Sequence, residues 1–199
     1  MQKIMFNDRF SLTDLVLSGQ KTQTRRIIKP QDERLGYLRG WNLDWGFAEF
    51  GREGETPLRL CPKYYVGEMV AVAMSYKSIY KRVAKTWEYA EEYKNEHKDL
   101  AGWNNKMFTN TKMPFAQIKI TNIRVERLQD ISDEDCMREG IRDYEDYVFF
   151  ENFSSRGYNN VCYYSFLRDA FADLINRISG KGTWESNPYV WAYDFELAK

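Results

Sequence analysis

The C-terminal stretch "NPYVWAYDFEL" sets the first limit on the fold. Tyr189, Trp191, Tyr193 and Phe195 alternate with Val190, Ala192, Asp194 and Glu196. A two-residue period places the four rings on one face of a strand. A face that aromatic needs a second layer to cover it, so the strand belongs to a sheet packed against something else.

Other segments fill in the class. "NDRFSLTDLVLSG" carries capping residues, apolar Phe10, Leu12, Leu15 and Val16, and Gly19 to end a short helix. "WNLDWGFAEFGREGETPLRL" suggests a hairpin, and "YYVGEMVAVAMSY" a turn at Gly67 followed by a buried strand from Met69 to Tyr76. The segment 77–111 fits either a charged helix or a strand and loop. Past Pro114 the apolar phase runs Ala116, Ile118, Ile120 and then Ile123, Val125, which predicts a bulge near Thr121 and Asn122. "ISDEDCMREGI" predicts a compact helix capped by Ser132, with Asp135 returning the capping bond, Ile131 and Cys136 as a hydrophobic staple, and Gly140 as the stop. Leu167, Phe171, Leu174 and Ile178 mark an amphipathic helix ending at Gly180. Strands and helices that do not alternate regularly imply an α+β domain with a mostly antiparallel sheet or small barrel. One domain over 1–199 is the simplest organisation.

Composition limits the chemistry. Lys plus Arg and Asp plus Glu are 29 each, so any electrostatic message is local. Cys61, Cys136 and Cys162 are unpaired in spacing, and His97 is the sole histidine, which argues against a disulfide framework, a zinc site or a His-centred triad. No metal and no cofactor is expected. No apolar run is long enough to span a bilayer and no export signal is visible, so a cytoplasmic protein without a membrane partner is expected.

The chemistry concentrates in "LSGQKTQTRR". A P-loop is ruled out because Gln20 separates Gly19 from Lys21 and the upstream glycine is missing. As a plain strand edge it would turn Lys21, Gln23 and Arg25 outward and Thr22 and Thr24 inward. As a site, its lack of any acid between Asp14 and Asp32 makes Lys21, Arg25, Arg26 and Lys29 a local cationic patch suited to phosphate or a nucleotide. Trp41 with Trp45 and Tyr64 with Tyr65 offer base-stacking faces or simply core packing.

Four ordered blocks, "GQKTQTRR", "VGEMVAV", "MPFAQIKITNIRVERLQDISDEDCMREGI" and "GKGTWESNPYVWAYDFE", together resemble the ASCH domain in its larger phage and prophage form. The resemblance covers about half of the chain. Segments near 31–63, 77–111 and 143–179 read as insertions. It implies a PUA-like barrel with flanking helices and a module that binds RNA or a modified nucleoside. One branch of that superfamily hydrolyses the amide of acetylated cytidine with a lysine, a threonine and a glutamate. Those residues fall here on Lys21, Thr24 and Glu139, with Thr22, Arg25 and Arg26 as ligand-binding neighbours. A third possibility is an interaction protein of prophage origin with a vestigial pocket. The chain departs from the family pattern at Glu68, Ala73, Met74 and Phe115, where charged groups differ or are lost, which favours binding over catalysis. For Lys21 and Thr24 to act together, the stretch between them must be turn-like, with the strand starting later.

Overall fold

The computed structural model describes the chain except residues 32–34, 43–45, 113, 145–146, 151–161 and 199, and the side chains of Tyr147 and Cys162. In chain order the elements are β1 (Lys3–Ile4), α1 (Leu12–Leu17), β2 (Gln23–Ile27), β3 (Tyr37–Asn42), β4 (Phe47–Gly51), β5 (Leu58–Leu60) and β6 (Met69–Val72). Then come α2 (Tyr76–Val83), α3 (Ala90–His97), β7 (Gln117–Arg127), α4 (Asp133–Arg138), β8 (Arg142–Tyr144), β9 (Tyr147–Phe150), β10 (Cys162–Tyr164), α5 (Leu167–Ser179) and β11 (Tyr189–Ala198).

The fold is mixed α+β, with five α-helices and three mostly antiparallel sheets among the described residues. The main sheet has the order β1-β6-β7-β11-β2, with only the β1–β6 pair parallel. The other two sheets are β3-β4-β5 and β10-β9-β8. No closed barrel forms among the described residues. Every strand of the main sheet lies outside the three segments that read as insertions, whereas β3 to β5, α3 and α5 lie inside them and α2 begins one residue ahead of the second.

The aromatic strand is β11, placed between β7 and β2. Its ring face is covered by the second sheet: Trp41 stacks edge-on against Trp191 at 5.1 Å, and Phe50 against Tyr189 at 5.2 Å. Tyr64 packs on Tyr193 at 5.4 Å. Tyr64 and Trp41 are thus packing residues, not open stacking faces, and Trp45 lies outside the described residues. The opposite face of β11 is buried as well, so Asp194 is an interior charge. The bulge falls where the apolar phase changes. Asp194 pairs with Asn122 and Phe195 with Ile120, leaving Thr121 as the extra residue.

Two local expectations need correction. The strand from Met69 ends at Val72, because Ser75 accepts a hydrogen bond from the Ser78 amide at 3.1 Å and caps α2, which begins at Tyr76. Burial nevertheless continues through Met74, and that continuity is what the sequence shows. The apolar stripe of α5 that enters the core is Ala170, Phe171, Leu174 and Ile175, with Ile178 left at 36% exposure. The segment 77–111 carries the helices α2 and α3, joined and followed by turns, and no strand. No helix among the described residues is long and apolar enough to cross a membrane.

Candidate functional site

The site grows from two helix ends that face each other. α1 stops at Gly19, whose φ of 74° is left-handed, and the amides of Gln20 and Lys21 both bond back to the Leu15 carbonyl. Lys21 is therefore held in a turn, but β2 already begins at Gln23, so Thr24 lies on the strand and the turn-like stretch expected from Lys21 to Thr24 ends at Thr22. On the other side, Ser132 accepts from the Asp135 amide at 3.1 Å and starts α4, Glu139 caps its C-terminus, and Gly140 turns away with φ 106°. The Thr22 amide donates to the Arg138 carbonyl at 3.0 Å and ties the two ends together.

Lys21 and Glu139 meet inside this junction. The Lys21 Nζ donates to Glu139 Oε2 at 2.6 Å and to the Glu139 backbone carbonyl at 2.6 Å. Lys21 is 2% exposed and Glu139 5%. Burial is the main influence on the lysine and lowers its pKa from the usual 10.5; Glu139 opposes this, while Arg26 and Arg25 reinforce it. A buried lysine with two cationic neighbours is poised nearer neutrality than a surface lysine.

Arg25 is not a free cation. Its guanidinium donates to Glu126 at 2.8 Å, Asp135 at 2.8 Å, Glu139 at 3.2 Å and the Gln23 side chain. Gln23 in turn donates to Asp135 at 3.0 Å and Asp194 at 2.6 Å, and Arg124 bridges Asp135 and Asp194 at 2.8 and 2.9 Å. Arg138 reaches Asp194 at 3.1 Å. Asp135 therefore uses its carboxylate on arginines instead of returning a bond to Ser132. Burial alone would raise its pKa, but hydrogen bonds from Arg25 and Gln23 and the arginine charges hold it below 3.8.

The strand-edge arrangement is overturned: Lys21, Gln23 and Arg25, expected outward, are all buried. The cationic patch is also smaller than the sequence suggests. Acids from β7 and α4, distant in sequence, neutralise Lys21 and Arg25. Thr22 turns its hydroxyl to Arg138 Nε at 3.3 Å and does not line the cavity described next.

Lys21, Thr24, Arg25, Arg26 and Glu139 line one cavity of about 380 Å³, within the range of small-ligand pockets. Thr24 is 5% exposed, and its hydroxyl makes no hydrogen bond among the described residues. Arg26 donates to the Met5 carbonyl at 2.7 Å and lies over the Phe6 ring, and exposed Lys29 completes the cationic rim. The remaining wall is mostly apolar, from Met5, Phe6, Leu12, Ile27 and the α5 residues Phe171, Leu174, Ile175 and Ile178, with Asn7 and Ser179 as its polar members. A larger cavity of about 700 Å³ beside α2 and α3 is lined by Trp87, Tyr93, His97 and Phe115, and none of the expected site residues reaches it. No cluster of His, Cys, Asp or Glu among the described residues is arranged to hold a metal ion.

Sequence reasoning missed the carboxylates that organise the cluster, Glu126, Asp135 and Asp194, and the wall supplied by α5. Two signals were available. Asn122, Arg124 and Glu126 alternate with apolar residues on β7, and Asp194 is the single charge within the buried run Tyr189–Phe195. No protein-family model, curated protein or solved structure matches the chain.

Proposed function

We propose that the chain binds a nucleoside-like ligand in the cavity and hydrolyses an amide bond on it, with Lys21, Thr24 and Glu139 as the reacting groups. The observation that carries this is the 2.6 Å contact between buried Lys21 Nζ and Glu139 in a cavity also lined by Thr24. In the neutral form, Lys21 takes the proton of the Thr24 hydroxyl as its oxygen attacks the acyl carbon. The tetrahedral intermediate expels the amine, which receives that proton from Lys21 directly or through Glu139. Water then attacks the acyl-threonine ester and gives one proton to Lys21, and Lys21 passes that proton to the departing Thr24 oxygen as the carboxylic acid is released, which regenerates both groups. The lowered pKa of Lys21 supports its role as base, because a lysine protonated up to pH 10.5 is a poor acceptor.

The ASCH resemblance supports the same three residues. On this proposal the main sheet is a PUA-like core opened and enlarged by the inserted segments. A binding role without chemistry is favoured by one separate feature, the cationic rim of Arg26 and Lys29, which suits a ligand carrying a phosphate. The test is incubation of the pure protein with acetylated cytidine, followed by chromatography. Deacylation is expected, with Lys21→Ala and Thr24→Ala each inactive and the double variant no worse, since the residues act as a unit. Product formation at the same rate in wild type and Lys21→Ala would overturn the hydrolytic assignment.

A further inference from the structure

Resting on that amide-hydrolysing assignment, we infer that the acyl group removed is a medium-length aliphatic or an aromatic one, and that α5 recognises it. Phe171, Leu174, Ile175 and Ile178 all line the cavity. They stand at i, i+3, i+4 and i+7, one face of the helix. Seven residues of helix rise span about 10 Å, so this wall is long compared with a methyl group.

The wall has a direction. Phe171 lies at the reacting end, with the Arg25 guanidinium 5.9 Å from its ring centroid. Exposure then increases along the face, from 2% at Phe171 and Leu174 through 7% at Ile175 to 36% at Ile178. An apolar track therefore leads from the Lys21, Thr24 and Glu139 cluster towards solvent. The cation Arg26 lies over the Phe6 ring and donates to the Met5 carbonyl, contacts made with the N-terminal segment and not with α5. A polar nucleoside matches the cationic part, which leaves the apolar track to the acyl chain. A short acetyl group would leave most of that track unfilled, whereas each added methylene would leave water for an apolar surface.

The test uses cytidines acylated on the exocyclic amine with acetyl, butyryl, hexanoyl or benzoyl groups. Both turnover and calorimetric binding to the full-length chain are measured. Hydrolysis whose kcat/KM rises by about threefold to fourfold per methylene, from acetyl to hexanoyl, supports the inference. Binding that tightens along the series without any turnover also supports an acyl track, while it overturns the hydrolytic assignment beneath it. Turnover that is best for acetyl and falls with chain length overturns the inference and leaves the hydrolysis standing. Neither binding nor turnover across the series overturns both. Ile178→Gln, on the solvent end of the helix, separates specificity from folding. It is expected to flatten the chain-length slope, and an unchanged slope would assign the acyl group elsewhere.

Discussion

At the scale of single residues, the same side chains carry both the interior charge network and the proposed chemistry. Lys21 is buried among an acid and two arginines, and its two protonation states differ in cost. Neutral lysine increases as pH rises, so turnover is expected to rise through a pKa that burial places below 10.5. Glu139 raises that pKa by its charge and its hydrogen bond. Glu139→Gln removes the charge and leaves a weaker, neutral hydrogen-bond acceptor, so its ascending limb is expected at lower pH than in wild type, with a reduced plateau because proton delivery to the leaving amine is impaired. A pH–rate profile of the two proteins checks this; an unmoved or raised limb would mean that Lys21 is not the base. The sign for stability follows from the same shift. Between the lowered folded-state value and 10.5 the unfolded chain binds the extra proton, so Lys21 makes stability increase with pH across that window. The local cationic patch read from the sequence shrinks at this scale, because three carboxylates far along the chain meet Arg25. Local charge in the sequence does not reveal such partners.

At the scale of elements, the site depends on two short helices ending against each other. α4 has six residues and little stability of its own, so its cap and its exit turn matter. Gly140 has φ 106°, and a Cβ there would meet Leu15 Cδ1 at 2.9 Å. Gly140→Ala is therefore expected to destabilise by more than about 1 kcal/mol, combining an unfavourable backbone region with a clash against α1. Urea unfolding would measure it, and a change within a few tenths of a kcal/mol would show that the junction yields easily. Elements with strong local chemistry were legible: the Ser132 cap, the turns at Gly19 and Gly140, the aromatic strand β11 and the bulge at Thr121. They were legible because capping, left-handed turns and two-residue alternation are decided within a few residues. The end of β6 was harder to see, since burial runs past the strand at Met74. The meeting of Lys21, Thr24 and Glu139 was legible only through resemblance, because Lys21 and Glu139 are 118 positions apart and no periodicity links them. The α5 wall was invisible for the same reason, since an amphipathic pattern tells that a face is covered but not what covers it.

At the scale of the whole molecule, the formal charge is zero and the cations near the cavity are largely neutralised from within. A long polyanion is held by releasing counterions from each phosphate that meets a free cation. Here Arg26 and Lys29 are the cations on the rim of the cavity that carry no ion pair among the described residues. If single-stranded RNA binds through this rim, it meets at most these two. The slope of log affinity against log salt should then be no steeper than about −1.4, from −0.7 per phosphate contact. Arg26→Ala combined with Lys29→Ala should bring it close to zero without unfolding the chain, because Lys29 is exposed and Arg26 takes no part in the buried acid cluster. Arg25→Ala is the contrasting variant. It leaves Glu126, Asp135 and Glu139 without a shared cation, and breaking such a buried network costs roughly 3–5 kcal/mol, so it should appear as lost stability before any change in affinity can be read. Fluorescence titration of a short labelled RNA at several salt concentrations measures the slope. A value well beyond −1.4, retained in the double variant, would place an extended nucleic-acid surface elsewhere on the protein and reduce the cavity to a secondary feature.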